Sequence, residues 1–151
     1  MDLKQVLAKS SFKYELISHP KPIRSAREGA AFFGIAMGQT APTLIIETQG
    51  IVTKDFYALI LSGDRGKADL KIVARLLGYP RVKLADFGHV KQITGFNVGV
   101  IPLIGLELPC VLDRNLFRFS FIYGGTGKQL LTLKIEPAAL LEFNRVEAFL
   151  D

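Results

Sequence analysis

Two glycine-rich loops are the most chemically distinctive features of this chain. The segment Thr94-Gly95-Phe96-Asn97-Val98-Gly99-Val100-Ile101-Pro102 sets two glycines ahead of a proline. Glycine permits dihedrals that other residues avoid, and proline fixes one more. A loop of this kind can turn its N–H and C=O groups toward a ligand. Gly124-Gly125-Thr126-Gly127 offers the same backbone groups beside a strand end. Ordinary tight turns use the same residue types, so neither segment names a ligand by itself.

The reactive side chains are sparse. His19 and His89 lie far apart, neither has a partner at metal-ligand spacing, and no metal site is expected. His19 opens a His-Pro turn after a strand, which puts it at a cleft edge or leaves it a structural histidine. Cys110 sits in a Leu-rich strand and reads as a buried thiol rather than a nucleophile. No Gly-x-Ser-x-Gly elbow is present. Lys67, Lys71 and Arg75 recur every four residues, and Arg65 extends the series. On a helix they form one stripe, which either follows a phosphate backbone or is a solvated face. Lys21, Arg24 and Arg27 make a second basic group beside the His19 turn.

The elements that must position these residues alternate along the chain. Residues 2–9 read as a short helix and 14–18 as a strand stopped by His19-Pro20. Ser25 and Glu28 form a capping box that opens an alanine-rich helix closing near Gly34. The β-branched runs 42–48 and 55–61 read as a hairpin, followed by a turn over 62–66. Leu70, Val73, Ala74 and Leu77 share one helical face over 69–77, ended by Gly78 and Pro80. A short strand at Val82 and Leu84 and a helix capped by Asp86 come next. Strands are expected over 108–112, 118–123 and 130–135, with the Gly124 segment turning between the last two. A helix that tolerates Pro137 in its first turn runs from there to the C-terminus with Leu140, Leu141, Phe143, Val146 and Leu150. The order predicts an α+β fold, a mixed and largely antiparallel sheet with packed helices, and argues against a doubly wound parallel fold.

With 151 residues, 49% hydrophobic and 22% charged, one domain over 1–151 with its own core is expected. A net charge of +5 favours a polyanionic partner, and is equally that of a merely basic soluble protein. One cysteine allows no internal disulfide, and neither a signal peptide nor a membrane-spanning run is evident. A cytoplasmic protein with no membrane partner is the expectation.

The order of several segments resembles the YbaK/prolyl-tRNA editing domain family over residues 12–141. They are Ile17-Ser18-His19-Pro20, Ser25-Ala26-Arg27-Glu28-Gly29-Ala30-Ala31, Ile60-Leu61-Ser62-Gly63-Asp64-Arg65 and Ala68-Asp69-Leu70-Lys71. Thr94-Gly95-Phe96-Asn97-Val98-Gly99, Val111-Leu112-Asp113, Ile122-Tyr123-Gly124-Gly125-Thr126-Gly127 and Ile135-Glu136-Pro137 complete the set. The resemblance implies hydrolysis, in trans and without a cofactor, of the ester joining a wrong amino acid to the 3′ ribose of tRNA. Such domains use a lysine before a strand Thr-Leu, an aspartate near the later strands, and a glycine-to-proline loop around the aminoacyl group. Here the Thr-Leu is Thr43-Leu44 and Pro42 stands at the lysine position. Asp113 matches the aspartate, and Gly99 and Pro102 match the loop, with Val100 replacing its second glycine and Leu103 standing where proline is usual.

The resemblance therefore implies catalytic roles for Asp113, Gly99 and Pro102. It implies substrate contacts at His19, Thr43, Gly95, Gly124, Gly125 and Gly127. The basic series Arg65, Lys67, Lys71 and Arg75 would hold tRNA. Lys54, Lys67 and Lys128 are candidates to replace the missing ammonium group, and the substrate's own 2′-hydroxyl offers another route. Losing one charge-assisted contact to an oxyanion costs about 2.7–4 kcal/mol. A deacylase for a small mischarged amino acid, a binder of the tRNA 3′ end or of an aminoacyl-tRNA synthetase without hydrolysis, and a small-molecule sensor are the three resulting functions.

Overall fold

The two apolar, β-branched-rich runs over 42–48 and 55–61 pair as expected. In a computed structural model, which describes residues 2–50, 52 and 54–151, β2 (Thr43–Gln49) and β3 (Phe56–Ile60) form an antiparallel hairpin. Around it a five-stranded sheet runs in the order β4-β2-β3-β5-β8, with β4 at Arg81–Leu84, β5 at Pro109–Asp113 and β8 at Arg145–Leu150. β5 is parallel to both β3 and β8. A separate antiparallel sheet orders β1-β7-β6, from β1 (Tyr14–Ser18), β7 (Leu131–Ile135) and β6 (Ile122–Gly125). The fold is thus α+β and mostly antiparallel, with two sheets.

Period-two alternation divides the core. Ile45, Ala58, Ile60, Cys110 and Leu112 face Ile122, Leu133 and Ile135 of the small sheet, and Leu140 closes that layer. Their neighbours Ile46, Leu59, Leu61, Val111 and Leu150 point the other way, onto α3 (Leu70–Leu77) through Val73. Asp69 caps α3 by accepting from Lys71 N at 3.0 Å, and Gly78 ends it at φ 79°. Cys110 is buried and its thiol is pushed up to about 12, chiefly by desolvation and then by Glu147. Among the described residues no helix is long and apolar enough to cross a membrane.

Four expectations are corrected. The helix after Pro137 stops at Phe143, because Asn144 is extended and its amide is tied at 3.0 Å to both Gly105 N and Leu103 O. Beyond it Val146, Ala148 and Leu150 alternate with Arg145 and Glu147 and pair along β5. The strand placed at 118–123 begins at Ile122, since Arg114–Arg118 is a 3-10 turn capped by Asp113. Gly124 and Gly125 are inside β6 rather than in a turn. The basic stripe also breaks up: Lys71 and Arg75 lie on α3, whereas Arg65 and Lys67 precede it.

The end of β5 holds a clamp. Asp113 is fully buried, and both of its oxygens accept from Arg65, at 2.7 Å from Nε and 2.8 Å from Nη2. The Ser62 and Asn115 amides add bonds at 2.9 Å each. Burial works to raise the Asp113 pKa, but Arg65 and the two amides outweigh it and hold the carboxyl below its ordinary value. Ser62 then carries the restraint onward, its hydroxyl donating to the Gly38 carbonyl at 2.7 Å. Gly63 N donates to Thr40 O at 2.9 Å, which fixes the backbone leading into Pro42 and β2. At Gly63 a side chain would meet the Met37 backbone carbonyl at 2.6 Å, so this crossing requires glycine.

Removing one member of such a pair strands the other. Asp113→Ala is expected to lower unfolding free energy by about 3–5 kcal/mol in urea denaturation at neutral pH. Because the folded pKa is depressed, the pair's stabilisation is present above the unfolded carboxyl pKa, about 3.9, and is lost as pH falls through the lower folded value. The gap between wild type and variant should therefore close only in acid.

Candidate functional site

Between the two sheets' edges lies a cavity of about 560 Å³. On one side it is lined by Gly99, Val100 and Ile101 together with Gly124 and Gly125 of β6. Thr40 to Leu44, including Pro42, supply another side. His19, Thr132, Arg24, Ser25 and Phe33 close it, the last three around α2 (Ala26–Phe33), and Lys128 and Gln129 also border it.

The glycine walls follow from how closely the loop approaches β6. Leu103 N donates to Gly125 O at 2.9 Å, and Gly127 N donates to Val100 O at 2.7 Å. The Ile101 carbonyl occupies the place a Gly125 Cβ would take, and a Gly124 Cβ would meet Leu103 Cδ2 at 2.8 Å. Gly99 sits at φ 94°, a region L side chains rarely enter. The Gly99 and Ile101 amides make no hydrogen bond to the protein among the described residues. The amide of Val98, which also lines the cavity, is free in the same way.

His19 is buried with both ring nitrogens engaged. Nδ1 lies 2.7 Å from the Lys21 carbonyl, which only accepts, so Nδ1 carries a proton. Nε2 lies 3.0 Å from Thr132 Oγ1. The ring is thereby held as a wall of the cavity. Thr43 Oγ1 is buried without a hydrogen-bond partner among the described residues. The lining includes the cations Arg24 and Lys128 and no carboxylate. It therefore favours an anionic ligand.

Of the residues singled out in the sequence, His19, Thr43, Gly99, Gly124 and Gly125 come together here. Asp113, Pro102, Gly95 and Gly127 do not line the cavity. Asp113 is held in the clamp by Arg65, which meets it through Nε and Nη2. Pro102 is buried behind the loop. Gly95 ends α4 (Phe87–Thr94) at φ 80°, and Gly127 at φ 90° packs against Phe96. Pro42 does border the cavity, so the position without an ammonium group is a wall residue. Of the three replacement cations, Lys54 pairs with Glu47 at 3.0 Å, Lys67 is exposed elsewhere, and Lys128 lines the cavity. Phe33, Tyr123 and Thr132 were not singled out. Tyr123 stands in the family segment before Gly124, but otherwise their sequence signal is strand and helix phase, which does not say which face meets a cavity.

Gly125→Ala tests the loop contact. The added methyl meets backbone, so a loss of about 1–3 kcal/mol is expected in thermal or urea unfolding. Gly88→Ala, in α4 with only Asp86 Oδ1 at 3.5 Å, is the control and is expected to be neutral or mildly stabilising.

Comparison with known proteins agrees with this geometry. Over 107 residues, 70% of this chain, it is 30% identical to a proline–tRNA ligase of Desulforamulus reducens, of which it spans 18%. It is 27% identical to the multifunctional Ser/Thr-tRNA deacylase ProXp-y of Escherichia coli, covering 93% of this chain and 89% of that one. The crystal structure of a hypothetical protein superposes with a TM-score of 0.85 at 27% identity, over 97% of this chain and 96% of that one. A structure solved as a candidate trans-editing enzyme for prolyl-tRNA synthetase gives 0.76 at 26% identity, over 89% and 83%. The aminoacyl-tRNA editing domain pattern itself matches residues 20–143. With most of its length matched, and with the glycine loops meeting at one cavity, the chain belongs to the aminoacyl-tRNA editing domain family.

Proposed function

We propose that this protein is an aminoacyl-tRNA deacylase, acting in trans in the cytoplasm on tRNA that carries a wrong small amino acid. The observation that carries this reading is the cavity whose walls are glycine backbone and whose charged lining residues, Arg24 and Lys128, are both cationic. An aminoacylated 3′ ribose brings an ester carbonyl, hydroxyls and a nearby phosphate, and each finds a complementary group there. The ester oxygen accepts from the Gly99 and Ile101 amides, which stabilise the charge that develops as water attacks the carbonyl carbon. The ester C–O bond then breaks. The free amino acid leaves as its acid, and the ribose oxygen takes up a proton. His19 and Thr43 shape the pocket. Lys128 supplies the positive charge that Pro42 lacks.

A second reading is binding without hydrolysis, with tRNA or an aminoacyl-tRNA synthetase as the partner. Two features favour it: Pro42 replaces a cation, and Asp113 is committed to Arg65. Incubation with a panel of mischarged tRNAs separates the two. Turnover of at least one supports the deacylase; saturable, salt-sensitive binding with no turnover of any supports the binder.

If Lys128 carries the charge, Lys128→Ala lowers deacylation by about 10²- to 10³-fold. Adding Pro42→Lys to that variant restores much of the rate, because position 42 borders the same cavity. An unchanged rate in Lys128→Ala removes this residue from the mechanism.

A further inference from the structure

The cavity has an aromatic side that ester hydrolysis does not use. Phe33 and Tyr123 both line it, with ring centroids 5.0 Å apart and planes tilted by 34°. Phe32 stands perpendicular to Phe33 at 5.0 Å and edge-on to His19 at 5.8 Å. It nevertheless keeps 51% of its surface exposed. Lys134 Nζ lies 5.9 Å from the centre of the Tyr123 ring, adding positive charge to the same cluster.

We propose that Phe32, Phe33 and Tyr123 form a stacking wall for an unpaired nucleobase, the terminal base of the RNA strand whose ribose enters the cavity. The proposal rests on the deacylase reading and deepens it. A base is bonded directly to its sugar, so a ribose seated among the glycine walls carries its base to the aromatic residues beside them. Aromatic rings next to cations, with no carboxylate in the lining, suit a flat π surface joined to a phosphate. An aliphatic acyl group would use neither the ring faces nor Arg24 and Lys128. Stacking tolerates any base, so this wall contributes affinity and position while sequence is read elsewhere.

A short RNA ending in CCA, with 2-aminopurine replacing the terminal adenine, reports stacking directly through fluorescence quenching. Titration with the intact protein should quench the 3′-terminal probe saturably and leave a 5′-terminal probe bright. Phe32→Leu and Phe33→Leu should weaken binding by about 5- to 150-fold, while Phe32→Tyr, which keeps a ring, should bind like wild type. Phe32 is half exposed, so its variants are expected to fold. Equal quenching at both ends, or wild-type binding that is undiminished by an abasic terminal ribose, overturns the proposal. The two readings fail separately. Undiminished turnover of an abasic-ended substrate removes the stacking wall and leaves the deacylase. Quenching confined to the 3′ end with no turnover of any charged tRNA removes the deacylase and leaves the wall.

Discussion

The absence of two side chains on β6 sets the geometry of the whole site. Gly124 and Gly125 let the loop from Gly99 to Leu103 lie directly against the strand, where the Ile101 carbonyl and the Leu103 side chain take the space that Cβ atoms would fill. Two backbone hydrogen bonds, Leu103 to Gly125 and Gly127 to Val100, then fix the loop in register. The cavity exists because this approach leaves main chain, rather than side chains, along its wall. Backbone amides are already oriented when a ligand arrives, and they do not titrate. They provide a fixed electrostatic environment at little reorganisation cost.

Everything else supports that wall from a distance. The Asp113–Arg65 pair holds Ser62, and Ser62 holds the turn around Gly38 and Thr40 that leads into Pro42. Asp113 thus influences the opposite side of the cavity through the backbone, without facing a ligand. The Tyr123 carbonyl, accepting from Ala41 N at 2.8 Å, ties that side to β6. The two sides of the cavity are therefore joined through β6, and a chain of hydrogen bonds connects the clamp to the pocket. The positive charge comes from Arg24 and Lys128, on segments outside the two glycine-rich loops.

Local sequence rules identified the parts of the fold that depend on local chemistry. Ser25 accepts from Glu28 N at 3.0 Å as a capping residue should, although the Glu28 carboxylate returns to Arg24 N rather than to Ser25. Asp69 and Gly78 bound α3 where the pattern placed them. The parts that failed depend on long-range pairing. Val146 and Leu150 fit a helical face as well as a strand face, and only β5 beside them decides between the two. The glycines of β6 resemble a turn until the Gly99 loop is brought against them. For the site, the family pattern named five residues that do line the cavity, but it had no means of telling a cavity aspartate from one buried under an arginine. Asp113 lies under Arg65 and off the cavity wall, and only the fold separates Lys128 from Lys54 and Lys67 as the candidate cation that lines the cavity.

The central claim is that the glycine-walled cavity receives an aminoacylated ribose. A non-hydrolysable 3′-aminoacylamino-adenosine, titrated into isotopically labelled protein and followed by amide NMR, tests it most directly. The account predicts saturable shifts concentrated at Gly99, Ile101, Gly124 and Gly125. Shifts confined to the separate hollow bordered by Lys54, Tyr57 and Arg145, or no saturable shift at all, would contradict it.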